Sequence, residues 1–132
     1  MKHLLLIHGA WQGAWAWESV VPALNKFGHV CHPVDLPGNG NGSDDTAPED
    51  VSLELYTRFL AGELDRIGQP VIVVGHSSGG IIASQLAENE PARVQAIIYV
   101  AGMMLPSGMG FADLVEELTP DLPEAAGIIP YL

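Results

Sequence analysis

Residues 71–80 read VIVVGHSSGG, and their order gives the clearest structural signal in the chain. The four β-branched residues at its start predict a buried strand, and the glycines that follow predict a tight turn. Apolar residues then recur at helical spacing, at positions 81, 82, 86 and 87. The stretch therefore carries Ser77 on a turn that joins a strand to a helix.

Strand-like and helix-like segments alternate on both sides of this stretch. Strand patterns occupy residues 4–7, 29–35, 71–74 and 96–100, and helical patterns occupy residues 17–27, 53–67 and 81–87. Ser52 is placed to begin the second helix and Gly68 to end it. Continuous apolar strands predict an α/β fold with a four-stranded parallel sheet covered by flanking helices. The strand order 2-1-3-4 keeps every crossover right-handed and makes strands one and three neighbours.

The pattern changes after residue 101. Pro and Gly recur over the remaining residues and surround one short helical segment at residues 111–118. We therefore divide the chain into a core, residues 1–101, and a segment, residues 102–132, that begins a cap or lid.

The composition limits the class of protein and its partners. Of the 132 residues, 48% are hydrophobic and 16% are charged, which is a globular composition that excludes a disordered chain. The net charge of -11 repels polyanions, so we expect no binding to nucleic acid or to membranes. The charge is also uneven, because no Lys or Arg follows Arg93.

Cysteine content and apolar stretches bear on the cell compartment. The single cysteine, Cys31, cannot form an internal disulfide, which favours a reducing compartment. The apolar run at residues 4–7 is too short for a secretory signal, and Gly, Pro, Ser and Gln interrupt the uncharged stretches at residues 67–87 and 94–112. We therefore predict a cytoplasmic protein without a membrane span.

Residues 75–79 match the G-x-S-x-G motif in the strand-turn-helix context that this motif requires. A serine on such a turn has a strained backbone, and the flanking glycines avoid collisions with it. The turn raises Ser77 above the carboxyl end of its strand, where parallel sheets bind substrates. The N–H of Ser78 opens the following helix unpaired, so it can stabilise an oxyanion. The loop after the first strand supplies Ala10 as the second candidate donor.

The chain resembles the α/β-hydrolase superfamily over residues 3–106. Besides the serine motif, the resemblance rests on the HG sequence at residues 8–9, the tryptophans of residues 15–17, DLPG at 35–38 and PARV at 91–94. The most similar subgroup comprises plant methylesterases, hydroxynitrile lyases and bacterial pyrethroid-hydrolase-like esterases.

This resemblance implies that Ser77 is the nucleophile and that the backbone N–H groups of Ala10 and Ser78 form the oxyanion hole. It also implies that Trp11 lines the acyl pocket. Lyases of one branch of the subgroup carry threonine where Gly9 stands, which favours ester hydrolysis for this chain.

In that superfamily the catalytic acid and then the histidine follow the serine along the chain. All five histidines of this sequence lie at or before position 76. We therefore expect a chain that begins near its natural first strand, is truncated at its C-terminus, and lacks the acid and the base. His8 could approach Ser77, but its expected role is to hold the oxyanion loop. The chain by itself should be inactive or very weakly active.

Three functions remain open for this sequence. The first is a serine hydrolase that acts on small carboxylic esters through a Ser77 acyl-enzyme. The second is a non-catalytic module of the same fold that binds a small ligand near Ala10 and Ser77. The third is a hydroxynitrile lyase.

We expect neither a cofactor nor a metal site. His29 and His32 lie three apart on a predicted strand and so face opposite sides. The glycine-rich residues 38–42 lack phosphate-binding spacing and are interpreted as a turn. The nearly all-apolar fourth strand, residues 96–100, forms an exposed edge if nothing pairs with it, so we expect self-association through this edge.

Overall fold

The computed structural model describes residues 1–39, 44–123 and 127. The glycine-rich turn predicted at residues 38–42 and the end of the lid segment lie partly outside the described residues. The elements in chain order are β1 (His3–Ile7), a 3-10 turn (Ala14–Trp17), α1 (Val21–Lys26), β2 (Val30–Pro33), a second 3-10 turn (Pro48–Asp50), α2 (Leu53–Ile67), β3 (Val71–His76), α3 (Gly79–Asn89), β4 (Val94–Val100) and α4 (Phe111–Leu118).

The four strands form one parallel sheet in the order β2-β1-β3-β4, as the sequence predicts. β1 pairs with β3 from His3 opposite Val71 to Ile7 opposite Gly75. The carboxyl ends of β1 and β3 therefore lie side by side, and the loops that follow them begin at the same edge of the sheet.

Apolar side chains fill both sides of the sheet, which explains the unbroken apolar run of β1. Leu5 and Ile7 pack on one side with residues of α2 and α3, among them Leu60 and Leu86. Leu4 and Leu6 pack on the other side, with Trp17 and the α1 residues Val21 and Leu24. Every residue of β1 after His3 is buried, as expected for a central parallel strand.

The signals predicted for the ends of α2 are confirmed. The Ser52 hydroxyl accepts a hydrogen bond from the N–H of Leu55 at 3.1 Å, which is the N-cap interaction. Gly68 ends the helix with φ of 65°, and its N–H donates to the Leu64 carbonyl.

Two local predictions need correction. β3 continues through Gly75 to His76, because both residues pair with β4, so the turn begins only at Ser77. Of the helix predicted over residues 17–27, only Val21–Lys26 form the α-helix α1, because Trp17 ends the first 3-10 turn and residues 18–20 form a turn. Because α1 ends before Phe27 and Gly28 turns the chain away, the Phe27 side chain is 81% exposed instead of packed.

β4 is an edge strand in the described part of the chain, where β3 is its only partner. Ile98 is 47% exposed and Val100 is 41% exposed. The helix predicted at residues 111–118 is present as α4, with Val115 buried. No helix among the described residues has the length and apolar character needed to cross a membrane.

Candidate active site

Ser77 follows β3 directly and has a left-handed backbone conformation, with φ of 52°. A non-glycine residue in this conformation costs about 1–3 kcal/mol, so the surroundings must hold it. The Ser77 N–H donates to the Val100 carbonyl at 3.4 Å, and the Ser77 carbonyl accepts from Gly80 at 3.0 Å and from Met103 at 2.9 Å. Ser77 therefore occupies a strained turn that is held by the hydrogen bonds of its backbone N–H and carbonyl.

Glycine is required at positions 75 and 79, on either side of Ser77, because backbone atoms of other residues lie where a Cβ would be. A Cβ on Gly75 would lie 2.6 Å from the carbonyl oxygen of Gly79. A Cβ on Gly79 would lie 2.8 Å from the carbonyl oxygens of Ile7 and His8. Gly75 and Gly79, the two glycines of the G-x-S-x-G motif, thus allow close backbone packing between β3, the start of α3 and the end of β1.

The segment after β4 packs against the same turn. A Cβ on Gly80 would lie 2.6 Å from the Met103 carbonyl oxygen, and a Cβ on Gly102 would lie 2.8 Å from the Gly75 carbonyl oxygen. The turn at Ser77 is therefore enclosed by backbone from β1 on one side and from the end of β4 on the other.

The loop after β1 lies beside the serine, because β1 and β3 are neighbours. A Cβ on Gly9 would lie 2.9 Å from the Cβ of Ser77. Ala10 is exposed, and the side chain of Trp11 is 68% exposed. Within the described residues, neither the N–H of Ala10 nor that of Ser78 donates a hydrogen bond to the protein. Both groups are therefore without an acceptor among the described residues.

Backbone strain is concentrated at one edge of the sheet. Among the described residues, the non-glycine residues with positive φ are Trp11 at 59°, Ser77 at 52° and Ala101 at 44°. Each lies in the segment that follows the carboxyl end of a strand, namely β1, β3 and β4. Strained residues of this kind collect at functional sites, so this edge is the candidate active site.

The buried His8 side chain links the loop after β1 to the segment after β2 by hydrogen bonds. Its Nε2 accepts the N–H of Leu36 at 3.1 Å, so its Nδ1 carries the proton and donates to the Gly9 carbonyl at 2.8 Å. Burial lowers the pKa of His8 below 6.5, although the Gly9 carbonyl and the charge of Asp35 oppose this shift. His8 is therefore neutral, and both ring nitrogens are engaged away from Ser77.

Gln12 is a site residue that the sequence analysis missed. Its side-chain Oε1 accepts the N–H of Gly9 at 3.0 Å and bonds to Nδ1 of His76 at 2.9 Å. Its backbone N–H donates to the Gly9 carbonyl at 3.3 Å. The contact with His76 joins residues 64 apart in the chain, and no pattern within the loop signals it.

The remaining histidines lie on β1, on β2 and directly before β2. His29 lies just before β2 and not in it. The prediction that His29 and His32 face opposite sides of one strand therefore does not apply. His3 and His32 hydrogen-bond to each other between Nδ1 and Nε2 at 2.9 Å. Within the described part of the chain, no cluster of three or more potential metal-ligating side chains is present.

Two cavities lie away from the serine. One, of about 610 Å³, lies between the end of β2 and α2, with Leu36 and Phe59 in its wall. The other, of about 740 Å³, lies between α3 and the segment before α4, with Ile81 and Met109 in its wall. Ser77 contributes to the wall of neither cavity.

Comparison with known proteins gives consistent matches. Residues 4–131 match the model of the protein family described as "Alpha/beta hydrolase family". Methylesterase 7 of Arabidopsis thaliana is 35% identical over 128 residues, which cover 92% of this chain and 49% of that protein. Probable esterase PIR7A of Oryza sativa subsp. japonica is 35% identical over 121 residues, which cover 88% of this chain and 44% of that protein. The chain thus spans about half the length of the curated relatives that it matches.

Solved structures give the same result. The pyrethroid hydrolase PytH superposes with a TM-score of 0.75 and 34% identity, covering 83% of this chain and 43% of PytH. Polyneuridine aldehyde esterase superposes with a TM-score of 0.79 and 26% identity, covering 93% of this chain and 49% of that enzyme.

Proposed function

Because this chain belongs to the alpha/beta hydrolase family, we propose that it carries the nucleophile of a serine hydrolase that acts on small carboxylic esters. The single observation that carries this proposal is the backbone of Ser77, with φ of 52° directly after β3. Such strain persists only where the surroundings hold it, and nucleophilic serines of this family require that turn.

In the proposed reaction the Ser77 Oγ attacks the ester carbonyl carbon while a base takes its proton. The carbonyl oxygen becomes an oxyanion, which accepts hydrogen bonds from the N–H groups of Ala10 and Ser78. The bond to the alcohol then breaks, the alcohol leaves with a proton, and the acyl group stays on Ser77. Water hydrolyses this acyl-enzyme and regenerates the serine.

We assign the base and its acid partner to residues outside these 132. Three observations support this assignment. No histidine follows Ser77 in the sequence. Both nitrogens of His8 have protein partners, and Nδ1 of His76 bonds to Gln12. A serine without a base loses several orders of magnitude in rate, so the 132-residue chain should turn over esters poorly.

The relatives support an ester as the substrate class, since they are named methylesterase, esterase and pyrethroid hydrolase. Gly9 supports hydrolysis over hydroxynitrile cleavage. A Cβ at this position would lie 2.9 Å from the Ser77 Cβ, so the threonine of one lyase branch does not fit without movement of the turn. Trp11, exposed beside the proposed oxyanion hole, is assigned to the wall that receives the acyl group.

The test compares the complete protein with its Ser77→Ala variant in p-nitrophenyl acetate hydrolysis and in labelling by a fluorophosphonate. We expect labelling of Ser77 and a loss of at least about a thousandfold in kcat for Ser77→Ala. The matched control is Ser107→Ala in the exposed turn before α4, which should behave as wild type. Robust, Ser77-dependent turnover by the 132-residue chain alone would contradict the assignment of the base outside it.

A binding module of the same fold is the second candidate. It is favoured by His8, whose two ring nitrogens both have protein partners and are therefore not available to Ser77 as a base. This candidate predicts that small esters or acids raise the melting temperature of the complete protein without product formation and without fluorophosphonate labelling.

A further inference from the structure

The Gln12 side chain connects the two loops of the candidate active site. Its Oε1 accepts the N–H of Gly9, in the loop after β1, at 3.0 Å. The same oxygen lies 2.9 Å from Nδ1 of His76, at the end of β3. The two contacts therefore join Gly9, the residue that precedes Ala10, to His76, the residue that precedes Ser77.

The donors and acceptors in this contact are fixed by the Gly9 N–H. Because a backbone N–H only donates, the Gln12 atom that faces it must be the amide oxygen and not the amide nitrogen. That oxygen can only accept, so Nδ1 of His76 must carry a proton and donate to it. Gln12 therefore requires a hydrogen on Nδ1 of His76.

Both backbone polar groups of Gly9, the N–H and the carbonyl, have hydrogen-bond partners. Its N–H bonds to the Gln12 side chain, and its carbonyl accepts from the Gln12 N–H at 3.3 Å and from His8 Nδ1 at 2.8 Å. A Cβ at Gly9 would lie 2.9 Å from the Ser77 Cβ, so the loop passes the serine at a distance that only glycine allows. The Gln12 bond to His76 prevents the loop from moving away.

We infer that Gln12 is a positioning residue that sets the distance between the oxyanion loop and the Ser77 turn. This inference rests on the proposed function in so far as it concerns catalysis. Gln12 acts through Gly9 and His76 and holds Ala10 and Ser78 at a spacing where both N–H groups reach one oxygen. Because hydrogen bonds to a developing oxyanion depend steeply on distance, a small displacement of the loop lowers the rate of the chemical step.

The test uses the complete protein and three variants. Gln12→Leu keeps the approximate size of the side chain and removes the acceptor. Gln12→Glu keeps an acceptor oxygen for both donors. Gln69→Leu, at an exposed position before β3, is the matched control for loss of a glutamine. Each protein is measured for kcat and KM with p-nitrophenyl acetate, for hydrogen exchange of the Gly9 amide, and for the His76 tautomer by ¹H–¹⁵N correlation of the ring.

For Gln12→Leu we expect kcat to fall by about tenfold to a hundredfold with KM within about twofold of wild type. The Gly9 amide should exchange at least about tenfold faster, and the preference of His76 for the Nδ1–H tautomer should be lost. Gln12→Glu should recover kcat to within about threefold of wild type and restore Gly9 protection. Gln69→Leu should match wild type in every measurement.

Unchanged Gly9 exchange and an unchanged His76 tautomer in Gln12→Leu would overturn the inference, and so would altered exchange with unchanged kcat. If wild type hydrolyses no ester, the proposed function fails, whereas the exchange and tautomer measurements still decide whether Gln12 holds the two loops. If Gln12→Leu does not fold, Gln12→Asn replaces it. Its amide is one methylene shorter and cannot reach both donors, so the same results are expected.

Discussion

A β-carbon built on Gly9 lies 2.9 Å from the Cβ of Ser77, which is closer than two carbon atoms can pack. The first loop and the serine turn touch only because residue 9 has no side chain. We predict that Gly9→Ala pushes the two apart, lowers the free energy of unfolding by about 1–3 kcal/mol and slows fluorophosphonate labelling of Ser77 at least about tenfold. Urea unfolding and labelling rates of the complete protein measure both effects.

The control for this change is Gly62→Ala, in the exposed middle of α2. A Cβ on Gly62 meets no atom within 4 Å, so alanine fits there without contact. Because alanine stabilises a helix interior relative to glycine, Gly62→Ala should raise the free energy of unfolding by about 0.5–1 kcal/mol. Equal effects of the two substitutions would show that packing against Ser77 is unimportant.

The buried His8 makes stability depend on pH. Because burial lowers its pKa below 6.5, the unfolded chain binds a proton at His8 more readily than the folded protein does. The free energy of unfolding should therefore be unaffected by His8 well above pH 6.5 and should decrease as the pH falls through 6.5 toward the folded pKa. Urea titrations between about pH 7.5 and about pH 5.5 measure this decrease.

His32 contributes in the same direction, since burial and the charges of His3 and Arg66 lower its pKa. A His32→Gln variant removes its share of the decrease, and the share of His8 should remain. A stability that is constant across this pH range in His32→Gln would contradict the neutral, buried state of His8.

The N-cap of α2 gives a separate prediction for stability. The Ser52 hydroxyl accepts the Leu55 N–H at 3.1 Å, and alanine cannot replace this bond. We expect Ser52→Ala to lower the free energy of unfolding by about 0.5–2 kcal/mol, whereas Ser19→Ala, at an exposed position before α1, should change it little. Thermal unfolding of both variants tests the difference, and an unperturbed Ser52→Ala protein would rule out the cap.

The open edge at β4 leads to a prediction for the 132-residue chain. Ile98 and Val100 are 47% and 41% exposed on a strand whose outer side has no described partner. Such edges pair with other chains, so this chain should self-associate, and Ile98→Lys should reduce the association. Met104→Lys, at a 71% exposed position outside the strand, should not. Sedimentation velocity distinguishes these outcomes, and a monodisperse wild-type monomer would contradict the prediction.

Local signals made much of the fold predictable from the sequence. The cap at Ser52 and the stop at Gly68 depend on residues within one helical turn, and both are present. The predicted strand order is one in which every crossover between the continuous apolar strands stays right-handed, and the structure has this order. The turn at Ser77 could be located because its glycines are demanded by neighbouring backbone.

The features that escaped prediction depend on contacts between distant parts of the chain. β3 continues through Gly75 because β4 pairs with it, although glycine is unfavourable in strands. The left-handed conformation of Trp11 opposes the intrinsic preference of an aromatic residue. Gln12 meets His76 only after β1 and β3 have paired, so nothing near Gln12 in the sequence indicates its partner.

The enclosure of the Ser77 turn by the segment after β4 sets a limit for protein engineering. Met103 donates to the Ser77 carbonyl, and its backbone lies against Gly80 with no space for a side chain between them. An insertion or deletion before Met103 would therefore shift Ser77 itself. Insertions, deletions and loop libraries in the segment between β4 and α4 should begin after Met103, where the chain leaves the turn.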